Sequence, residues 1–172
     1  MTKSTTTMNK TLRLFAVVCA LSAGIFSMSA QLPSVQLKDS SGKPVDSSTL
    51  NNDGKPFIID FWATWCKPCV RELNAIHESY PDWVDETGVK VYAIATDDAQ
   101  NSFKVKAFAE KKGWEYVVLL DPNSDLLRAM GGSNVPHTVL LDGNGNIVES
   151  HSGYTDGSEE HLIEQVRKLI AK

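Results

Sequence analysis

The sequence predicts a single α/β domain with a central mixed β-sheet flanked by helices and an N-terminal β-hairpin extension. Short apolar runs typical of buried strands, at 57–61 and 89–96, alternate with segments in which apolar residues recur at helical spacing. Near the C-terminus, Asp-Gly-Asn-Gly at 142–145 indicates a hairpin between two further strands, which makes the sheet mixed. The 172 residues suffice for one well-buried domain and are too few for two ordinary ones.

The first 30 residues have the layout of a secretory signal peptide. Lys3, Lys10 and Arg13 provide a positive start, and residues 14–30 are uncharged and mostly apolar or small. We therefore expect an exported, periplasmic protein whose residues 1–30 are removed, leaving one domain over 31–172. An uncleaved membrane anchor is the alternative, because 17 uncharged residues lie near the lower limit for crossing a bilayer.

Cys19 lies in the middle of this apolar segment. It follows Val17 and Val18 rather than the small residue that a lipoprotein signal requires, so we expect it to be lost with the signal. The two cysteines that remain, Cys66 and Cys69, are spaced Cys-x-x-Cys. One close pair is not the framework of a disulfide-stapled scaffold, which has four or more cysteines.

The N-terminal half of the domain predicts a hairpin, a buried strand and a helix. Residues 35–37 and 43–45 flank a turn at 39–42, which predicts the hairpin, and the first apolar run predicts the strand. After the cysteine pair, apolar residues recur with the period of an amphipathic helix. These residues are Val70, Leu73, Ile76 and Tyr80. Pro81 is expected to stop or kink this helix.

The C-terminal half alternates strands with helices. The second apolar run is followed by a helix over 101–112, which Gly113 ends. The apolar side of that helix is predicted to carry Phe103, Ala107 and Phe108. The other predicted elements are a strand at 116–120, a short helix at 126–130, strands at 138–141 and 147–150, and a helix at 159–172. The last helix is expected to bury Leu162, Val166, Leu169 and Ile170.

Charge and motifs exclude two classes of function. The net charge is −4, and loss of the three basic residues of the leader makes it about −7, so no basic footprint for nucleic acid exists. Neither G-x-G-x-x-G nor G-x-x-x-x-G-K-[ST] occurs in the sequence. Nucleotide-binding functions are therefore not expected.

The cysteine pair follows a strand and opens a helix. This turn places Cys66 at the helix N-terminus, where the dipole and free N–H groups favour a thiolate, the nucleophile of disulfide exchange. Cys69 lies one turn into the helix on the same face, where it can resolve a mixed disulfide, and we expect it to be the more buried cysteine. Pro68 suits the first helical turn, where its missing N–H costs nothing.

Two structural alternatives explain the pair less well. A disulfide across so short a loop constrains the unfolded chain little. A zinc site needs four ligands, and one Cys-x-x-Cys with scattered histidines supplies too few.

Further positions are candidates to support the dithiol. Asp60 lies inside the first apolar strand, where a buried carboxylate would have a raised pKa and act as proton acceptor for Cys69. Glu72 shares the helix face of Cys69 and can tune the same proton. Exposed carboxylates are the alternative at both positions. A cis Pro136 set against the dithiol would free the Val135 backbone to pair with an incoming chain.

Together these motifs resemble the thioredoxin superfamily and, more narrowly, its exported TlpA/ResA-like branch. The resemblance rests on Trp-Ala-Thr-Trp-Cys-Lys-Pro-Cys at 62–69 with an upstream aspartate, on Val-Pro before a late strand, on the Asp-Gly-Asn-Gly hairpin and on the lead-in at 37–45. It covers residues 35–172. The P-x-x-x-T-x-x-C context of a peroxidatic cysteine is absent from the sequence.

The resemblance implies a thioredoxin-like fold and a thiol–disulfide oxidoreductase with no cofactor beyond the redox-active disulfide. Cys66 corresponds to the family's nucleophile and Cys69 to its resolving cysteine. Trp65 corresponds to the aromatic residue before the site, Pro136 to the cis proline, and Glu72 to the acidic residue of the ResA-like group.

Two positions depart from the exported branch. Asp60 matches the buried aspartate of thioredoxin itself, whereas many exported relatives carry asparagine there. His137 stands where threonine is usual.

The resemblance also implies partners. We expect client proteins with disulfides or thiols, for example apocytochrome c, a membrane thiol reductant as electron donor, and a monomeric state. Pro68 and Asp60 are features of a reducing protein, while an exposed Lys67 shifts the pair only modestly towards oxidation. We therefore predict a reductase, with a net disulfide oxidant as the alternative.

A copper-binding metallochaperone is a second alternative. His137 follows the predicted cis proline and would complete a site with Cys66 and Cys69, because soft thiolates suit Cu(I). Against it, copper carriers of this fold space their cysteines C-x-x-x-C. We expect His77, His151 and His161 to be surface residues.

Overall fold

The computed structural model describes residues 32–171, which contain seven strands and four helices. The strands are Gln36–Asp39 (β1), Pro44–Asp46 (β2), Phe57–Trp62 (β3), Lys90–Ala95 (β4), Val117–Leu120 (β5), His137–Leu141 (β6) and Ile147–Ser152 (β7). The helices are Lys67–Thr87 (α1), Phe103–Lys112 (α2), Asp125–Ala129 (α3) and Ser158–Ile170 (α4). A short 3₁₀ turn spans Ser47–Thr49.

All seven strands form one sheet in the order β2-β1-β5-β4-β3-β6-β7. The central strands β3, β4 and β5 pair in parallel, whereas β6 pairs antiparallel with β3, and β7 antiparallel with β6. The N-terminal hairpin joins the other side of the sheet through antiparallel pairing of β1 with β5. The predicted mixed sheet and hairpin extension are confirmed.

The two faces of the sheet bury separate apolar clusters. The first cluster packs Ile58 and Trp62 of β3 against α1, α2 and α4, and it contains both cysteines. The second packs Phe57, Ile59 and Phe61 of the same strand against α3 and the N-terminal hairpin. This alternation follows from the two-residue period of a strand, and it assigns each sheet residue to one face.

Helix α1 is longer than the sequence pattern indicates. It begins after Cys66, continues through Pro81 and ends at Gly88, whose φ of 66° is the left-handed conformation that glycine adopts most readily. Pro81 therefore does not stop the helix. The dithiol is carried on a 21-residue helix that is buried against the sheet along its apolar side.

The buried faces of two helices differ from the prediction. In α2, Phe103 is 74% exposed and Ala107 is also exposed, while Val105 and Ala109 are buried. The aromatic contacts of Phe108 with Trp62 and Trp114 fix the rotation of the helix, and Phe103, its first residue, then points to solvent. In α4 the buried residues are Leu162, Ile163 and Val166, whereas Leu169 is partly buried and Ile170 is exposed.

Within residues 32–171, no helix combines the length and the apolar character needed to cross a bilayer. The proposed signal peptide, its anchor alternative and Cys19 lie outside the described residues.

Candidate active site

The two cysteines are joined by a disulfide at the N-terminus of α1. Cys66 is the N-cap residue, and its Sγ accepts a hydrogen bond of 3.3 Å from the backbone N–H of Cys69. Cys66 is 5% exposed and Cys69 is fully buried. Cys66 is thus the less buried of the two cysteines, and its sulfur accepts one N–H of the first helical turn, as expected from the spacing.

The residues around the first cysteine face solvent. Trp65 is 68% exposed, and Lys67 and Pro68 are exposed as well. Pro68 occupies the first turn of α1, where no intrahelical donor is lost. The large exposed side chain of Trp65 next to the first cysteine offers a contact surface for another polypeptide.

A buried aspartate holds the loop that precedes the dithiol. Asp97, 1% exposed, accepts hydrogen bonds from the backbone N–H of Thr64 at 2.9 Å and from its hydroxyl group. The N–H of Thr96 donates to the carbonyl of Trp62 nearby. Asp97 was not among the site residues predicted from the sequence. The sequence signal that could have identified it is its position two residues after β4. Because β4 runs parallel to β3, both strands end at the same edge of the sheet.

Asp60 is buried in the centre of β3. It is 0% exposed, and neither carboxylate oxygen has a hydrogen-bond partner among residues 32–171. Burial raises the pKa of Asp60 well above its ordinary value, and the nearby charge of Glu72 raises it further. The Thr138 hydroxyl cannot offset these effects with a full hydrogen bond, because its one proton is donated to Glu72 at 2.7 Å.

Glu72 is buried on the inner face of α1, one turn after Cys69. It is 2% exposed, and besides Thr138 it meets His151, whose Nε2 lies 3.7 Å from Oε1. The second carboxylate oxygen is buried without a partner in the described chain. Asp60 and Glu72 therefore form a pair of buried carboxyl groups on the side of the sheet that holds the dithiol.

His151 is half-buried rather than a free surface residue. Its side chain is 29% exposed, and the Glu72 carboxylate raises the pKa of His151 above its ordinary value while burial opposes that rise. The sequence could not predict this contact, because Glu72 and His151 lie on elements that are distant along the chain. His77 is partly buried too, with its ring edge-on to Tyr116, whereas His161 is exposed.

The Val135–Pro136 peptide bond is cis, as the resemblance implies. Pro136 is buried, and Val135 is half-buried and packs against both apolar clusters, including the one that holds the cysteines. Among the described residues, no backbone hydrogen bond involves the N–H or carbonyl of Val135. Its backbone is therefore available to an extended chain.

His137 does not join the dithiol. It is the cross-strand partner of Phe61, which belongs to the cluster on the opposite sheet face, and the two rings lie 6.0 Å apart. Its Nδ1 is hydrogen-bonded to Ser152 Oγ at 2.8 Å. The three residues of the alternative copper site are thus separated by the sheet, because the side chains of successive strand residues alternate between faces. Within residues 32–171, no group of three or more acidic, histidine or cysteine side chains is arranged to hold a metal ion.

Comparisons with known proteins agree with this geometry. Residues 28–150 match the AhpC/TSA family. The thiol-disulfide oxidoreductase ResA of Bacillus thuringiensis (strain Al Hakam) is 30% identical over 139 residues, which cover 81% of this chain and 76% of that protein.

Two solved structures have the same fold. An uncharacterized thioredoxin-like protein from Porphyromonas gingivalis is 55% identical with a TM-score of 0.74, covering 83% of this chain and 93% of its own. A putative thiol:disulfide interchange protein DsbE from Chlorobium tepidum is 25% identical with a TM-score of 0.69, covering 81% and 94% of the two chains.

Proposed function

The chain belongs to the AhpC/TSA family and is a ResA-like thiol–disulfide oxidoreductase, and from this premise we propose that its Cys66–Cys69 dithiol reduces disulfides in exported client proteins such as apocytochrome c. The observation that carries the proposal is the position of the two sulfurs. Cys66 caps the helix and is 5% exposed, whereas Cys69 is fully buried one turn behind it.

The reaction begins with attack by the Cys66 thiolate on one sulfur of the client disulfide. The client S–S bond breaks, its electron pair leaves with the second client sulfur, and a mixed disulfide forms on Cys66. Cys69 then loses its proton and attacks Cys66 Sγ, which expels the remaining client sulfur as a thiolate. Two electrons have passed to the client, and the protein is left with the disulfide seen in the structure.

The helix start favours the first of these steps. Cys66 Sγ already accepts the N–H of Cys69, and the dipole of a 21-residue helix adds positive potential at the same place. A thiolate is therefore stabilised at Cys66 Sγ.

The second step needs a proton acceptor in the interior. We assign that role to Asp60, with Glu72 as its buried neighbour, because a carboxyl with a raised pKa is matched to proton exchange with a thiol. The nearby charge of Glu72 adds to the rise in the pKa of Asp60.

Client recognition is assigned to Val135, Pro136 and Trp65. The backbone of Val135, which has no backbone hydrogen bond among the described residues, can bond an extended client segment, and its side chain packs against the apolar cluster that contains the cysteines. The exposed Trp65 supplies apolar contact area next to the reacting sulfur.

The residues around Cys66 and Cys69 favour one direction of electron flow. Potentials in proteins of this chemistry run from about −270 mV for thioredoxin to about −120 mV for the strongest oxidant. Pro68 and Asp60 favour the reducing end, whereas the exposed Lys67 shifts the balance only slightly because solvent screens its charge. We propose a reductase that takes electrons from a membrane thiol reductant.

The site of action is proposed from the N-terminal sequence. The positive start and uncharged run of residues 1–30 support export to the periplasm and removal of the leader, and we propose that the mature protein acts there as a soluble monomer.

Measuring the equilibrium between the dithiol and buffers of dithiothreitol and glutathione tests the direction. Tryptophan fluorescence reports the redox state, because Trp65 directly precedes the pair. A midpoint nearer to about −270 mV than to about −120 mV supports the reductase, and a midpoint near the oxidising limit contradicts it.

A further inference from the structure

Three polar side chains form a row across the sheet beneath α1. Asp60 of β3 is the cross-strand partner of Thr138 of β6, and Thr138 is the partner of His151 of β7. Directly opposed residues point to the same side of a sheet, so the three lie on the face that carries the dithiol. Glu72 reaches down from α1, accepts the hydroxyl proton of Thr138 and lies 3.7 Å from His151 Nε2.

Exposure rises along this row from the centre of the sheet to its edge. Asp60, Thr138 and Glu72 are at most 2% exposed, whereas the side chain of His151 is 29% exposed. β7 is the edge strand, and His151 there lines an open surface cavity of about 420 Å³ together with Tyr154. The row therefore connects the buried carboxyl groups to water at one end.

The chemistry of the dithiol needs such a connection. Each time Cys69 attacks the mixed disulfide, one proton has to leave the interior, and each time the disulfide is reduced, one has to return. Asp60 is fully buried with no partner for either oxygen in the part of the chain that is described, so it has no direct exchange with solvent.

We propose that Asp60, Glu72 and His151 form a proton path between Cys69 and solvent, with His151 as the group that exchanges protons with water. The inference rests on the proposed function, since it concerns the proton released by the resolving cysteine. It assigns to His151 a proton-transfer role and not contact with the reacting sulfurs.

The proton balance is complete without a further reactant. The S–H bond of Cys69 breaks, its electron pair forms the bond to Cys66, and the proton passes to the carboxyl pair. Glu72 hands it to His151, which takes up a proton on Nε2 and releases one from its other ring nitrogen. The distance of 3.7 Å exceeds a hydrogen bond, so transfer requires a small approach of the two side chains.

The charged and titratable neighbours of His151 suit this role. Glu72 faces it from α1 and Glu149 lies on its own strand, and both favour the charged imidazole. His137 on β6 opposes that charge, and His161 on α4 is hydrogen-bonded to Glu149 at 3.2 Å. Tyr154 in the cavity has a pKa of about 12, raised first by burial, and stays neutral.

The test measures the rate at which dithiothreitol reduces the oxidised protein, because Cys69 then leaves as a buried sulfur that must gain a proton. The rate is followed by tryptophan fluorescence from about pH 5 to about pH 8. His151→Gln and His151→Ala are compared with the wild type, and His161→Gln is the matched control at a histidine of the same cavity.

We expect both His151 variants to react about tenfold more slowly near neutral pH and to lose the titration of the histidine from the rate profile. Added imidazole should restore most of the rate of His151→Ala, while His161→Gln should behave as the wild type. A purely structural role would change the equilibrium with glutathione and would not respond to imidazole.

Two outcomes contradict the proton path, and only the second of them also contradicts the proposed function. If the wild type reduces insulin disulfides but the His151 variants match its rate and pH profile, or imidazole gives no rescue, the proton path is wrong and the proposed function stands. If the wild type reduces neither insulin nor any other protein disulfide, the proposed function fails, and the inference fails with it.

Discussion

At the scale of single residues, Asp60 is the side chain of the site whose burial in the charged form costs the most free energy. Its carboxyl group finds no hydrogen-bond partner within residues 32–171, so burial favours the neutral form, and the raised pKa of Asp60 expresses that preference. The same property makes it a suitable proton acceptor for a thiol. Function and stability are therefore opposed at this position.

Asp60→Asn should stabilise the fold increasingly as pH rises. The carboxyl binds its proton more tightly in the folded protein than in the unfolded chain. Above about pH 4 the unfolded chain releases this proton, so the free energy of unfolding of the wild type falls as the pH rises. The fall ends once the pH exceeds the pKa of Asp60 in the folded protein. Each tenfold difference in proton affinity contributes about 1.4 kcal/mol, and asparagine removes this loss. Urea unfolding of variant and wild type at several pH values measures the difference.

Asp82→Asn is the control, because Asp82 is an exposed carboxyl on α1. Its difference from the wild type should stay nearly constant over the same pH range. An Asp60→Asn variant whose gain does not grow with pH would show that Asp60 is charged at little cost, against the present interpretation.

Local sequence patterns predicted part of the site and missed the rest for a physical reason. Cys66, Cys69 and Asp60 lie within ten residues of one another, on a strand and the helix that follows it, so their spacing determines their relative places. Asp97 and His151 reach the site through strand pairing, which no local period reveals. His137 was misplaced because the face on which a strand residue lies depends on a register that the sequence alone leaves open.

At the scale of secondary structure elements, α1 contains a proline in its interior. Pro81 has no N–H for the carbonyl of His77 one turn earlier, and its ring crowds that carbonyl. The helix nevertheless continues to Thr87, because its apolar side is buried from Cys69 to Trp83. Tertiary packing thus outweighs the local preference to end the helix.

Pro81→Ala should raise the free energy of unfolding by about 1–3 kcal/mol, since alanine restores the missing hydrogen bond and is the better helix former. Chemical denaturation of the oxidised protein measures the gain. Pro68→Ala is the matched control on the same helix, and it should change stability little because proline is tolerated in the first turn. A destabilised Pro81→Ala variant would mean that the local backbone is adapted to proline.

The helices also show where the prediction of faces fails. The short α2 has no strong apolar stripe, so the two aromatic residues Phe103 and Phe108 suggested a face that the structure does not use. Val105 and Ala109, four residues apart, are the buried pair. In α4 the predicted stripe was correct at Leu162 and Val166, but it omitted the buried Ile163 and included Ile170, which is exposed.

At the scale of the whole molecule, one seven-stranded sheet separates two apolar clusters, and only one of them contains the dithiol and its carboxyl groups. The alternation of strands and helices predicted the mixed sheet and the element order. The spatial order of the strands was not predictable from periodicity, because it depends on which strands pair across long connections.

The sequence of residues 1–30 predicts a leader that is removed, which would leave the mature domain to begin at residue 31. We expect periplasmic protein expressed from the full sequence to have the intact mass of residues 31–172. Replacing Ala30 with Arg should block cleavage and leave the chain in the membrane fraction. Wild-type protein of full-length mass in that fraction would instead support the uncleaved anchor.

Attack by Cys66 on a client disulfide is tested most directly by trapping it. Cys69→Ala leaves the attacking sulfur without its resolving partner, so mixed disulfides formed in the exported fraction of the native host should persist and be separable on non-reducing gels. The matched variant Cys66→Ala keeps Cys69 as the one cysteine of the mature domain, and it should trap clients at a rate at least about tenfold lower, because Cys69 is fully buried. Equal or faster trapping by Cys66→Ala would contradict the assignment of Cys66 as the nucleophile.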